Sequence, residues 1–307
     1  MPPRDDVCVL VPTLDEAETI GDVVRDYREA GFENVLVIDG GSTDGTVEAA
    51  TDAGARVVSQ AGTGKGQAVR EAVSEHIEAP YVLMVDGDGT YLPSDAEAML
   101  EPLGEGCEHV IGDRFADMHE GAMTRLNRVG NRLFNRAFAY IHGTDFGDIL
   151  SGYRAFSRES FERMTLTAEG FGIETEMAVE CAKHRIETTV VPITYLPRPS
   201  GSNTNLSPLR DGSIILLELY RRAKTNNPLF YFGSVGFVST AVGLGIAIWV
   251  GVEWVTRSIS HEVMAVVAAS GILFGVQLLM FGVLSDLIFS LHREQMQRLD
   301  RLEERRE

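Results

Sequence analysis

The chain has 307 residues, which is enough for one α/β domain of about 200 residues and a smaller second unit. It carries 45 acidic and 27 basic residues, a formal net charge of −18. Nucleic acid is therefore not expected as a partner, because no large basic surface is available to neutralise phosphates. Such an acidic surface suits a salt-rich cytoplasm, where ions screen the self-repulsion, although an ordinary acidic enzyme would share this composition.

Short apolar runs alternate with helical patterns along the first part of the chain. Strands are predicted at residues 7–11, 35–38, 56–59 and 81–85, and helices at residues 17–30, 46–53 and 65–77. This alternation predicts an α/β fold with a mostly parallel sheet that is covered by helices on both faces. Ligands of such sheets bind at the carboxyl ends of the strands.

Polar clusters follow the first two predicted strands, at residues 12–16 (PTLDE) and 39–45 (DGGSTDG). An aspartate at a strand end can accept hydrogen bonds from a base or a ribose, and the glycines let the chain turn around it. A simple turn that caps a helix is the alternative. The segment at residues 62–66 (GTGKG) lacks the Ser or Thr of a phosphate-binding loop. It is either a flexible loop near a donor or a plain surface loop.

The strongest single motif is DGDGT at residues 86–90, directly after the fourth predicted strand. Two carboxylates at a strand end, Asp86 and Asp88, suit one hard divalent cation such as Mg²⁺ or Mn²⁺. An EF-hand is excluded because Tyr91 stands where that loop needs glycine. An ordinary Asp/Gly turn remains the alternative.

Two later segments contain no acidic residue. In the first, residues 121–144, arginines recur every three or four positions beside an apolar stripe. This pattern predicts an amphipathic helix over residues 123–141 that lies in the plane of a membrane; a helix packed on the sheet with solvated arginines is the alternative. The second segment, residues 188–210, includes Arg198 and Arg210, which are candidates to bind a lipid phosphate. Glu174 and Glu176 either cap a helix or line the site.

Two apolar runs close the chain, at residues 229–252 and 263–285, and each is long enough to span a bilayer. Basic residues flank the pair on the outer sides, and only Arg257 lies in the turn between them. The positive-inside rule then places both chain ends in the cytoplasm. The predicted organisation is a catalytic domain at 1–220, a transmembrane hairpin at 221–291 and a cytoplasmic charged tail at 292–307.

Taken in order, these motifs resemble the dolichol-phosphate mannosyl- and glucosyltransferase branch of glycosyltransferase family 2, which has a GT-A (Rossmann-like) fold. The resemblance covers residues 7–290 and rests on VPTLDEAETI, VIDGGSTDGT, DGDGT, Gly112-Asp113-Arg114, DILSGYRAF and the two apolar runs. The acidic composition and the segment TNLSPLRDG make the resemblance greatest to haloarchaeal members of this branch, which charge dolichyl phosphate with the first hexose of the surface-layer N-glycan.

The resemblance implies a role for individual residues. Catalytic residues would be Asp86, Asp88, Arg114 and Arg128. The nucleotide of the donor would contact Pro12, Asp15, Glu16, Asp39 and Asp86. The metal, Mg²⁺ or Mn²⁺, would bind Asp88 with Asp86 beside it. The acceptor phosphate would contact Arg128, Arg198 and Arg210. Thr90 departs from the family, because relatives often have a metal-binding Gln there.

The implied partners are a nucleotide sugar and dolichyl phosphate in the membrane. The implied reaction is an inverting, metal-dependent hexose transfer for protein N-glycosylation, with UDP-glucose as the expected donor. A processive polysaccharide synthase is a rival, although its usual QxxRW motif is missing, and a non-catalytic membrane scaffold is another. The sequence does not identify the hexose or the oligomeric state.

Overall fold

The computed structural model describes residues 1–168, 170, 172–199 and 228–303, with the backbone alone for residues 289–303. The chain divides into two compact units, Met1–Ile215 and Leu216–Glu307. Each unit is considered separately below. Arg210, a predicted acceptor-phosphate residue, lies outside the described residues.

In the described part of the first unit, strands and helices alternate along the chain, as predicted for an α/β fold. The strands are β1 (Val7–Thr13), β2 (Val35–Asp39), β3 (Arg56–Ser59), β4 (Tyr81–Met84), β5 (His109–Met118), β6 (Arg154–Ser157) and β7 (Thr188–Tyr195). The helices are α1 (Ile20–Glu29), α2 (Thr46–Asp52), α3 (Lys65–Glu71), α4 (Ala96–Gly104), α5 (Arg125–His142), α6 (Arg158–Glu162) and α7 (Ile173–His184).

The seven described strands form one sheet in the order β3-β2-β1-β4-β6-β5-β7. Strands β1 to β4 are mutually parallel, and β5 pairs parallel with β7. Strand β6 is antiparallel to both β4 and β5, so the mostly parallel sheet of the prediction is confirmed. The chain leaves β1 toward β2 and β3 and then returns to form β4 on the other side. This reversal opens a crevice at the carboxyl ends of β1 and β4.

The central strands form because they are apolar up to their last residue, Thr13 in β1 and Asp39 in β2. Every residue of β1 and β2 is buried, as expected for parallel strands that are covered on both faces. The first four strands lie within two residues of their predicted positions. Helix α1 starts at Ile20, three residues later than predicted, because residues 14–19 form a loop that is held by the loop after β2. The third predicted helix is α-helical only to Glu71 and continues as a π-helical turn, Ala72–His76.

In the part of the second unit that the structure describes, two long helices, α8 (Pro228–Arg257) and α9 (Glu262–Glu303), pack against each other. They contain the two predicted spans, and both are long and apolar enough to cross a membrane. Small residues let the two backbones approach closely, as is common between membrane helices. A Cβ atom on Gly275 of α9 would lie 2.5 Å from the carbonyl oxygen of Gly236 on α8. Nearby, the Ser239 hydroxyl donates a 2.8 Å hydrogen bond to the Gly271 carbonyl.

Gly275→Ala is predicted to separate α8 from α9 and to lower the unfolding temperature of the full-length protein in detergent. Gly245→Ala is the matched control, because no atom lies within 4 Å of a Cβ at Gly245. Alanine favours a helix by up to about 1 kcal/mol over glycine, so the control should be neutral or stabilising. Equal unfolding temperatures for the two variants would contradict this packing of the hairpin.

Candidate active site

The DGDGT loop begins where β4 ends, at the crevice between β1 and β4. Strand pairing continues one residue beyond β4, because the Val85 N–H donates to the Leu10 carbonyl. Asp88 is then almost fully buried, with 1% of the residue exposed. The Thr90 hydroxyl and N–H donate to Oδ1 of Asp88 at 2.6 and 3.1 Å. Thr90 therefore orients Asp88, a role that was not predicted from the sequence.

Each carboxylate of the loop is paired with a basic side chain from a distant segment. Lys65 Nζ lies 2.5 Å from Oδ1 of Asp86, and Arg198 Nη2 lies 2.6 Å from Oδ2 of Asp88. Burial acts to raise the pKa of Asp86, but the Lys65 ammonium outweighs it and holds this pKa below its usual value. The pKa of Asp88 is raised, by burial and then by the negative charge of Asp86. The two carboxylates are close in the chain, with only Gly87 between them.

A third acidic side chain, Glu16 from the loop after β1, faces the same crevice. Burial, together with the charges of Asp88 and Asp86, raises the pKa of Glu16 to about 8. The Thr13 hydroxyl donates to its Oε2 at 2.8 Å. Near neutral pH Glu16 is thus mostly protonated, and the negative charge in this part of the crevice lies on the carboxylates of the DGDGT loop.

The loops after β1 and β2 are locked together by hydrogen bonds. Thr13 and Asp39 are paired in the parallel register of the two strands. The Asp39 carboxylate accepts from the N–H groups of Gly41 and Ser42 at 2.9 and 3.0 Å, and Asp15 accepts from the Thr43 N–H at 2.9 Å. The predicted nucleotide contacts Asp15, Glu16, Asp39 and Asp86 therefore lie along one edge of the sheet, next to the buried Pro12 of β1.

Arg114 of β5 is buried, and its guanidinium faces Asp148 rather than open solvent. Its Nε and Nη2 donate to the two Asp148 oxygens at 2.6 and 2.8 Å, and its Cζ lies 5.4 Å from the centre of the Tyr195 ring. Such a two-point pair holds both partners in one geometry. Because Nε and Nη2 are used in this pair, only the remaining donor groups of the Arg114 guanidinium are available to a phosphate.

Arg128 lies on α5, a helix whose outer face is apolar. Its Nη2 donates to the Met118 sulfur at 3.2 Å. The exposed apolar side chains of the same helix are Leu126, Val129, Leu133 and Tyr140. Arg128 thus lies on a different element from the carboxylate loop. Among the described residues, it makes no hydrogen bond or ion pair with Asp86, Asp88 or Arg198.

Two residues of the site were not assigned from the sequence. Lys65, from the glycine-rich loop before α3, contacts Asp86, and it also lies 2.5 Å from Oε1 of Glu174 on α7. From the sequence, this loop has two possible interpretations, and Glu174 either caps a helix or lines the site. A usable signal was that Lys65 is a lone basic residue in an otherwise uncharged loop.

The DILSG segment closes the crevice from the side of β6. Gly152 lies so close to Asp86 that a Cβ atom would stand 2.5 Å from its Oδ2. The Gly152 N–H donates to the Tyr91 hydroxyl at 3.2 Å. Any larger residue at this position would therefore displace the Asp86 carboxylate.

The donor atoms of the crevice fit a hard divalent cation, because carboxylate oxygens are the ligands that Mg²⁺ and Mn²⁺ prefer. Among the described residues, no three His, Cys, Asp or Glu side chains form a group that could hold an ion. The residues that fit are accordingly the pair Asp86 and Asp88, with the oxygens of a diphosphate as further ligands.

The chain is similar to known glycosyltransferases. Residues 8–165 match the model of a family described as "Glycosyl transferase family 2". Glycosyltransferase AglJ of Haloferax volcanii is 76% identical over 303 residues, 99% of this chain and 100% of the relative. A dolichyl-phosphate hexose transferase of the same organism is 34% identical over 69% of this chain and 91% of its own. A polyprenol monophosphomannose synthase of Mycolicibacterium smegmatis is 26% identical over 65% of this chain and 80% of its own.

Solved structures resemble the first unit. Glucosyl-3-phosphoglycerate synthase from Mycobacterium tuberculosis, in complex with Mn²⁺ and UDP-glucose, is 26% identical with a TM-score of 0.57, covering 69% of this chain and 78% of the other. The same synthase with Mn²⁺, UDP and glucosyl-3-phosphoglycerate gives a TM-score of 0.59 at 25% identity, covering 71% and 79%. The GT-A fold is therefore confirmed.

Arg114→Met is predicted to destabilise the protein by about 3–5 kcal/mol, because it leaves the buried Asp148 carboxylate without its partner. Arg25→Met is the control: it removes an exposed pair with Asp22, and such pairs contribute about 0–1 kcal/mol. Thermal unfolding of the full-length protein in detergent compares the two. A shift for Arg114→Met no larger than that of the control would show that the pair contributes little to stability.

Proposed function

This chain belongs to glycosyl transferase family 2, and from that premise we propose that it transfers a hexose from UDP-glucose to dolichyl phosphate. The product is dolichyl phosphate hexose, and its use is in protein N-glycosylation. Support comes from the named relatives, two of which are described as acting on dolichyl or polyprenyl phosphate.

One observation carries the proposal: Asp86, Asp88 and Arg198 meet at the crevice between β1 and β4. A diphosphate needs a cation held by carboxylates, and a phosphate acceptor needs a cationic side chain close beside it. Arg198 Nη2 lies only 2.6 Å from the Asp88 carboxylate. An acceptor phosphate on Arg198 would thus lie beside a donor on Asp86 and Asp88, which is the proximity that a displacement requires.

Asp88 and Asp86 would hold Mg²⁺ or Mn²⁺. When bound, this ion would neutralise the negative charge of the leaving nucleoside diphosphate. The solved synthase with Mn²⁺ and UDP-glucose supports this assignment. The nucleotide would contact Pro12, Asp15, Glu16 and Asp39 along the same strand ends. Because Thr90 and Lys65 already fix the carboxylates of Asp88 and Asp86, little reorganisation is needed when charge develops on the diphosphate.

A phosphate acceptor explains why basic residues meet the carboxylates in the crevice. A phosphate monoester has a second pKa of about 6 and is largely a dianion near neutral pH. It attacks the anomeric carbon without giving up a proton, so the protein has to position it and not to activate it. We assign this positioning to Arg198, with Arg128, Arg114 and Arg210 as further phosphate ligands. A single displacement of this kind inverts the anomeric configuration.

The lipid acceptor requires a membrane. We assign α8 and α9 as the anchor, in a multi-pass arrangement with the catalytic domain and both termini in the cytoplasm. Helix α5 would lie at the lipid surface, because its outer face exposes Leu126, Val129 and Leu133, each at least 65% exposed, beside a row of arginines. Apolar side chains would enter the head-group region while arginines contact anionic lipid.

Asp88→Asn is predicted to reduce hexose transfer by at least about a hundredfold, because the cation loses a ligand in the transition state. Membrane insertion should be unchanged. The assay uses membranes that contain the protein, labelled UDP-glucose, dolichyl phosphate and Mn²⁺, and it measures acid-labile lipid-linked label. Asp52→Asn, an exposed aspartate at the end of α2, is the control.

Full activity of Asp88→Asn would contradict the assignment of the ion. A polymeric product from the wild-type protein would instead identify a processive synthase. If neither UDP-sugars nor GDP-sugars gave any labelled product, a non-catalytic scaffold would be favoured.

Replacing Leu126, Val129 and Leu133 together by serine is predicted to raise the KM for long-chain dolichyl phosphate in bilayers by at least about tenfold. Three apolar side chains then no longer enter the lipid, and each contributes about 1.5 kcal/mol or more when fully buried. The KM for UDP-glucose should stay the same. A short-chain, water-soluble isoprenyl phosphate is the control acceptor, because its delivery does not need a lipid surface. Equal changes with both acceptors would argue that α5 only stabilises the domain.

A further inference from the structure

Lys65 is one of three lysines in the chain, and it is held in a nearly buried position, with 12% of its side chain exposed. Its ammonium lies 2.5 Å from Asp86 Oδ1 and 2.5 Å from Glu174 Oε1. The three groups come from the start of α3, the loop after β4 and the first turn of α7. They carry a combined charge of −1 when all are ionised, at a place from which water is largely excluded.

The role of Glu174 differs from that of the other buried glutamates of α7. Glu176 accepts hydrogen bonds from the N–H groups of Thr167 and Ala168 at 2.8 and 2.7 Å. Glu180 accepts from the Thr165 N–H at 2.9 Å. These two side chains tie the loop before α7 to the helix. Glu174 instead points to Lys65, and through it to the carboxylate that the proposed function assigns to the donor.

The contacts of Asp86 limit how its carboxylate can turn. Lys65 holds Oδ1 on one side, and the Gly152 backbone stands against Oδ2 on the other. Without Glu174, the long flexible side chain of Lys65 would lose one of its two ion-pair partners. Since removing charges from water is costly and a buried ion pair is weak evidence for stability, the arrangement is better explained by the geometry that it imposes on Asp86.

We propose that Glu174 is a positioning residue of the donor site: it fixes the Lys65 ammonium, which in turn fixes Asp86 for the nucleotide of the donor. This inference rests on the proposed function, since it takes Asp86 as a donor residue. Helix α7 thereby becomes part of the donor site without touching the donor. The burial of Glu174, with 6% of its side chain exposed, agrees with this indirect role.

The test measures binding of UDP, and of GDP in parallel, to the full-length protein in detergent with Mn²⁺, by calorimetry. Lys65→Met keeps the length of the side chain and removes its charge, and it should weaken UDP binding by about tenfold or more. Glu174→Gln should weaken it by about threefold, because the ammonium is still present but less well held. In steady-state kinetics the KM for the donor should rise, while the KM for dolichyl phosphate stays the same.

The double variant Lys65→Met/Glu174→Gln separates positioning from a structural role. If Glu174 acts through Lys65, the glutamine causes no further loss of UDP affinity once Lys65 is gone. The unfolding temperature of the double variant should exceed that of Lys65→Met. In Lys65→Met the buried Glu174 carboxylate faces Asp86 without a compensating charge, whereas the double variant has a neutral glutamine there. Lys183→Met is the control, since it removes another Lys–Glu pair of α7 away from Asp86, and UDP affinity should stay within about twofold.

UDP affinities within twofold of the wild type for both single variants would overturn the inference, and so would losses that multiply in the double variant. A wild-type protein that binds UDP, loses it in Lys65→Met and yet forms no lipid-linked sugar would refute the proposed function and leave the inference standing. A wild-type protein that binds neither UDP nor GDP would refute the proposed function and the inference together.

Discussion

Two carboxylates lie at one edge of the sheet, Asp88 buried and Asp86 partly buried, and the rest of the site follows from the need to compensate their charge. Asp88 is held by Thr90 and paired with Arg198 at 2.6 Å, and Asp86 is paired with Lys65 at 2.5 Å. An unpaired buried carboxylate costs several kcal/mol, so segments far apart in the chain have to bring basic residues to this edge. The same negative crevice, in the proposed function, attracts the cation and the donor.

The choice between lysine and arginine at these positions has a physical reason. Arg114 donates two parallel hydrogen bonds to Asp148, as the planar guanidinium favours. Lys65 bridges two carboxylates that approach from different elements, and a compact ammonium with three donors is suited to that task. Lys65 is one of only three lysines in a chain rich in arginine, and it is the point charge that serves two acids.

Much of the fold could be predicted because the strands are short, apolar and regularly spaced. The residues at the strand ends, such as Asp39 and Asp86, were placed correctly at one edge for the same reason. The antiparallel strand β6 was not predicted, since its four residues, Arg154–Ser157, have no local pattern that sets their direction. The Lys65–Glu174 contact joins residues that are distant in sequence, and the commitment of Arg114 to Asp148 likewise depends on tertiary packing. No local pattern encodes either contact.

The central claim is that carboxylates at the sheet edge act through a divalent cation on a diphosphate donor beside a lipid phosphate. The most direct test is hexose transfer to dolichyl phosphate by protein that has been stripped of divalent ions with a chelator and then freed of the chelator. The account predicts that transfer is lost and that Mn²⁺ or Mg²⁺ restores it. Transfer by the stripped protein at the rate of the untreated protein would contradict the account.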